Sequence, residues 1–168
     1  MTMLTLPTRI GDRPQTGPSV PHVQLSQHSP DDLRERLKQW MTDHMHGAVI
    51  RPSEISEPGS LAFFLDGALP PSGTVLLPPR LNAEFVHVHT DGSLHLALAK
   101  EDQHELIAKD WGERHPLYSP VINVVMLYGP RTDEELQIAK TVIKASYRYA
   151  TGHGLPATPT REPDGQRI

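Results

Sequence analysis

The sequence predicts an α+β fold: a mostly antiparallel sheet with a histidine-rich hairpin, flanked by two longer helices and one short helix. Three observations carry this. The predicted elements run helix, several strands, short helix, strand, helix, without the regular alternation that builds a parallel sheet. Apolar and polar residues alternate strictly on both sides of Asp91-Gly92, the signature of a hairpin. The stretch from Val121 to Tyr128 is almost continuously apolar and β-branched, as in a strand covered on both faces.

Taken in order, residues 1–28 hold Pro7, Pro14, Pro18 and Pro21 with Gly11 and Gly17 and show no apolar period. They read as an extended arm with few packing contacts. The tail, 155–168, has the same character, which leaves 29–154 as the folded domain. Ser29 as N-cap, Pro30 at the first helical position and Asp31 and Asp32 at the positive end open the first helix. Its stripe of Leu33, Leu37, Trp40 and Met41 continues to a stop at Gly47. A Pro/Ser/Glu/Gly-rich link, Arg51 to Ser60, leads into a strand at 61–65, and 74–77 makes a second short strand before Pro78-Pro79. Beyond the hairpin, a short helix covers 102–109 and a loop carries the chain through Trp111 to the buried strand. Thr132-Asp133-Glu134-Glu135 matches a capping box for the last helix, which ends near Tyr149 with Gly152 as its stop.

The 168 residues suffice for one domain with a core of its own. Only 37% are hydrophobic, a shortfall partly explained by 17 prolines and 12 glycines. A net charge of −4 lacks the basic surplus of a nucleic-acid binder, and no apolar run reaches membrane-spanning length. The first ten residues lack a secretory leader's apolar core. A cytoplasmic protein that meets a small molecule, and neither nucleic acid nor membrane, is the expectation. The absence of cysteine excludes disulfides, thiol catalysis and Cys-based zinc sites. No Gly-rich phosphate loop, Gly-x-Ser-x-Gly elbow or His-Glu-x-x-His helix occurs, which removes nucleotide, serine-hydrolase and zincin chemistry.

What remains is histidine. The chain has 10, against 16 Lys plus Arg, and His87, His89 and His95 fall close together on the hairpin. A two-residue Asp91-Gly92 turn would send His95 to the face opposite His87 and His89. A three-residue loop, Thr90-Asp91-Gly92 with Gly92 left-handed, pairs His87 with His95 and His89 with Ser93. Only the second register separates Val86, Val88, Leu94, Leu96 and Leu98 from Phe85, His87, His89, Ser93, His95 and Ala97, and burial selects it. Three imidazoles on one face suit a first-row metal with open coordination positions, or acid–base work near neutral pH; a solvated polar face is the inert alternative.

Several segments together resemble the luciferase-domain family. They are Pro52-Ser53-x-Ile55-Ser56-x-Pro58-Gly59, then Glu84-Phe85-x-His87-x-His89-x-Asp91-Gly92-Ser93-Leu94-His95, then Trp111 to Pro116, then Tyr128-Gly129-Pro130-Arg131-x-x-Glu134-Glu135-Leu136. They occur in matching order over about residues 30–152. The family includes the fungal bioluminescence luciferases, and the resemblance implies an α+β domain and, for the luciferase members, oxygen-dependent oxidation of a hydroxypyrone without a known organic cofactor. It does not imply light emission, because function does not travel with fold.

Other residues extend the candidate site. His115, in the loop after Trp111, is a fourth imidazole or, with Arg114, a substrate clamp. Arg131, before the capped helix, suits an enolate, or else pairs with Glu134 or Glu135. Phe85, Ser93, Trp111 and Arg114 are the candidate substrate contacts, and Glu84 is an exposed strand end or a carboxylate orienting an imidazole. His22, His28 and His153 fall in or beside the arms and look inert. The first functional expectation is an O2-dependent oxidoreductase acting on a small enol or hydroxypyrone-like molecule. In it, His87, His89, His95, His115 and Arg131 are catalytic and no organic cofactor is needed. The alternatives are a cupin-like enzyme with a divalent metal on His87, His89 and His95, or a non-catalytic small-molecule or metal-binding module.

Overall fold

In the computed structural model, which describes residues 4–156, six strands form one antiparallel sheet and three helices accompany it. The chain runs α1 (Asp31–His44), β1 (Ala48–Pro52), β2 (Leu61–Leu65), β3 (Glu84–Val88), β4 (Leu94–Leu96), α2 (Lys100–Ala108), β5 (Gly112–Arg114), β6 (Val125–Leu127) and α3 (Asp133–Thr151). In space the strands lie in the order β1-β2-β3-β4-β6-β5. The expected α+β class and the His-rich hairpin are both present.

The two longer helices are built as their sequences dictate. Thr132 caps α3 by accepting a hydrogen bond from the Glu135 amide, and Gly152 ends it in the left-handed conformation. Leu136, Ala139, Val142, Ile143 and Tyr147 form its buried stripe, which joins Leu33, Leu37 and Met41 of α1 and Val86, Val88, Leu94 and Leu96 of the hairpin in one core. The start of α1 differs from expectation. Pro30 holds the N-cap position without a side-chain bond, and Ser29 is buried instead against Gly92 and Gly129.

Three further elements depart from the sequence reading. Ala48–Pro52, which follows the expected helix stop at Gly47 and overlaps the start of the expected link at Arg51, is an edge strand, where a terminal proline forfeits no ladder bond. Residues 74–77 are not a strand. Leu76 and Leu77 enter the core, but their amides bond to the carbonyls of Leu81 and Glu84, within a turn that Pro78 and Pro79 impose. Gly112–Arg114, expected as loop, pairs with β6 as the sheet's other edge.

The largest correction concerns the expected loose arm. From Leu4 to His28 the chain is a strap docked on the domain, with Leu6, Arg9 and His22 each about 3% exposed. The amides of Leu4 and Leu6 bond to the carboxylates of Asp102 and Glu105, the Arg9 amide to the Lys109 carbonyl, and the Trp111 indole to the Pro7 carbonyl. Prolines deny this segment regular secondary structure, yet α2 and the loop after it satisfy its backbone groups. For the tail, 157–168 lies outside the described residues. Among the described residues, no helix is long and apolar enough to cross a membrane.

Docking of the strap makes Leu6 a core residue, so Leu6→Ala is expected to cost about 2–4 kcal/mol. That lowers the melting temperature of a chain this size by roughly 5–10 °C. Ile10→Ala, at a side chain 83% exposed, leaves it unchanged. Equal melting curves for the two variants would show that the strap does not dock.

Candidate active site: a buried histidine cluster

The hairpin adopts the three-residue register. Gly92 is left-handed at φ 93°, its amide bonds to the His89 carbonyl, and the His89 amide bonds to the Ser93 carbonyl. β3 and β4 then pair with His87 opposite His95. All three hairpin histidines are buried, their ring centroids 4.5 to 5.3 Å apart.

Strict alternation fails at one place, with consequences for the site. Against β2, Phe63 faces Val86 but Phe64 faces Glu84, so Phe85 is the extra residue of a β-bulge. Its ring packs on Tyr147 of α3, 6.0 Å between centroids, rather than beside the histidines where alternation placed it. The same irregularity brings Glu84 to His87, three residues on. The buried carboxylate takes a 2.7 Å hydrogen bond from His87 Nδ1 and others from the Ser53 hydroxyl and the Glu54 amide.

His89 and His95 are also backed by carboxylates. The Ser93 hydroxyl donates to Asp91 at 2.6 Å, so it receives the Nδ1 hydrogen of His89 at 2.9 Å. For His95 the connection crosses the sheet. His95 pairs with Met126 of β6, and Met126 with Glu113 of β5, which places Glu113 on the same face two strands away. His22 of the strap fills that gap. Its Nε2 donates to Glu113 at 3.0 Å, and its Nδ1 receives His95 Nε2 at 2.8 Å. Burial alone would raise the Glu113 carboxyl, but hydrogen bonds from His22, Tyr128 and Thr16 outweigh it and hold the group below the usual glutamate value. Glu113 is therefore an anion.

A cavity of about 510 Å³ stands over the cluster, a size suited to a small ring system. Its walls are mostly apolar, from Val20, Pro21 and Val23 of the strap, Leu77 and Pro78, and Leu117, Ile122 and Val124. His22, His87, His89, His95 and His115 are its imidazoles. The His115 ring lies 5.3 Å from those of His95 and His22, and its Nδ1 accepts the Leu117 amide hydrogen, which leaves Nε2–H as its free group. Burial, reinforced by the neighbouring imidazoles, lowers the pKa of His89 to about 3, that of His95 well below the ordinary histidine value, and that of His115 in the same direction. These three rings are neutral at pH 7.

Two groups of described residues bring three imidazole nitrogens close enough for one metal ion: His87, His89 and His95, and His22, His95 and His115. The remaining candidates lie elsewhere or serve the frame. Ser93 is buried and orients His89. Trp111 packs in the core beneath the strap, and the Arg114 guanidinium stacks over Tyr118. Arg131 is bound to Glu135, to Gln27 and to the Ile10 carbonyl, and does not line the cavity.

His22, which the sequence reading set aside as inert, and Glu113, which it did not single out, complete the cluster. No local spacing marks His22, whose place follows only from docking of the strap. Glu113 lay open to discovery had Gly112–Arg114 been read as a strand.

Comparison with known proteins gives a consistent picture. Residues 82–146 match the family described as Luciferase domain. The chain is 30% identical over 165 residues to a luciferase of Armillaria mellea and 33% over 164 residues to one of Armillaria ostoyae. It is 29% identical over 164 residues to a luciferase of Neonothopanus nambi. Each alignment takes in 87% of this chain and 61% of the relative, so the chain spans about three-fifths of the length of these relatives. No solved structure matches it.

Buried neutral histidines make stability depend on pH with a definite sign. The folded His89 stays neutral to about pH 3, whereas the unfolded ring takes a proton below about pH 6.5. The unfolded state thus binds more protons in between, and stability falls as pH drops. Between pH 7 and pH 5, with chelator present, His89 alone is expected to remove about 2 kcal/mol, read by urea unfolding. His89→Gln should flatten that slope. An identical slope in the variant would mean that the ring takes up its proton alike in the folded and unfolded protein.

Proposed function

The chain belongs to the luciferase-domain family, and on that premise we propose that it is an O2-dependent oxidoreductase acting on a small enol of hydroxypyrone type in the cavity above His87, His89 and His95. The observation that carries the reading is a floor of imidazole nitrogens beneath apolar walls sized for one or two rings. Such a pocket takes a flat, weakly polar molecule and leaves its hydroxyl to be met from below. The floor receives the enol hydrogen, and the neutral His115 offers Nε2–H to the oxygen as charge develops on it. An enolate held this way, away from bulk water, is electron-rich enough to pass electrons to O2. Arg131, tied to Glu135 outside the cavity, has no part in this scheme.

The test is oxygen uptake by the full chain over a panel of hydroxypyrones and catechols. Turnover is expected, and His115→Ala should lower kcat/KM by roughly 100-fold, as loss of a single anion-stabilising donor does, with an unchanged circular dichroism spectrum. Binding of the panel without oxygen uptake would leave a small-molecule binding module in place of an enzyme.

A further inference from the structure

The hydrogen-bond directions around the cluster leave three lone pairs pointing at one another. Both oxygens of Glu84 already accept, Oε1 from the Glu54 amide and Oε2 from the Ser53 hydroxyl, so Nδ1 of His87 is the donor and Nε2 carries the free pair. Ser93 spends its hydrogen on Asp91, so the same holds for His89. Glu113 takes the Nε2 hydrogen of His22, His22 takes that of His95, and Nδ1 of His95 is left bare. Yet His87 Nε2 stands 3.1 Å from His89 Nε2 and 3.2 Å from His95 Nδ1. With the ring hydrogens directed outward in this way, no hydrogen lies along either contact.

We infer that His87 Nε2, His89 Nε2 and His95 Nδ1 hold a divalent first-row transition-metal ion whose open coordination positions face the cavity. Metal–nitrogen bonds of about 2.0–2.1 Å set neighbouring ligand nitrogens roughly 3.0–3.4 Å apart, the spacing of His87 Nε2 from each of the other two, and all three nitrogens lie within 4.8 Å of one another. A single shared proton satisfies one such contact in line; an ion engages all three nitrogens. Imidazole is the fitting donor for iron, cobalt, nickel, copper or zinc. Behind each ligand stands a carboxylate: Glu84 on His87, Asp91 through Ser93 on His89, and Glu113 through His22 on His95. That outer shell fixes ring orientation in metal sites and places negative charge around a buried cation whose direct ligands are all neutral. The second three-histidine group is the poorer cradle. His22 and His95 meet at 2.8 Å, a hydrogen-bond length, and the free group of His115 is a donor.

The inference rests on the reading of this cavity as the working site and revises its centre: with the three floor nitrogens bound to an ion, the ion would carry the enol oxygen, and the enol proton would leave to water rather than to a floor imidazole. The test is made on the full chain, stripped with chelator at pH 7.5 and titrated with zinc or cobalt chloride by calorimetry and by cobalt absorption. One equivalent is expected per chain. His87→Ala and His89→Ala should weaken binding by at least 100-fold, Glu113→Gln and His22→Ala by about 10- to 100-fold as outer-shell changes do. His115→Ala should leave binding unchanged. Glu113→Gln alters no ligand and spares the fold, so its effect is readable even where a histidine variant is unstable.

The proposal is overturned if the stripped wild-type chain takes up neither ion, or if His115→Ala abolishes binding while His87→Ala and His89→Ala retain it. Oxygen uptake undiminished after complete removal of metal would also overturn it, while leaving the oxidoreductase reading intact. A stoichiometric ion with no enol turned over would sustain the centre and remove that reading.

Discussion

The pairing of His87 with His95 is the constraint on which the site depends, because a slip of one residue between β3 and β4 would turn an imidazole to the helical side of the sheet. Two backbone features hold it. Gly92 sits in a left-handed conformation that side chains resist, and a Cβ there would come within 2.5 Å of Ser29. The bulge at Phe85 takes up one residue, so that the pairing with β2 and the pairing with β4 are both kept. The hairpin is thus fixed from its tip and from its base, and the start of α1 packs against the tip.

Much of this was legible. Alternation about Asp91-Gly92 and the demand that apolar side chains share a face select the observed register, because the wrong one buries a histidine among leucines. The Thr132 cap and the Gly152 stop were equally readable, since each is a local hydrogen-bond device. Illegible features share a different character. The place of His22 is set by docking of a proline-rich strap whose own composition predicts no order, and the role of Glu113 follows from a three-residue strand too short to show a period. Phe85 and Glu84 exchanged expected faces because a bulge is a property of two strands at once.

Burial and polarity are reconciled at the cluster by its outer partners. Imidazoles this deep lose hydration, which favours their neutral forms, and each neutral ring still needs an acceptor for its one hydrogen. Glu84, the Ser93–Asp91 pair and the His22–Glu113 pair supply those acceptors, so that the polar network ends in groups that accept without donating. The strap serves stability and the site together: Leu6 enters the core, and His22 enters the network.

Floor and walls of the cavity have different structural origins. The floor is sheet, held by cross-strand bonds and carboxylates, whereas most of the wall comes from irregular segments near positions 20–23, 55–57, 77–78 and 117–124. Val20, Ile55, Leu117 and Ile122 can change in bulk without disturbing a hydrogen bond to any imidazole. An architecture divided in this way can drift in which molecules it admits while the reacting groups stay put. Bulk changes at those wall positions would reshape the space above the histidines while the floor and its hydrogen bonds stay as they are.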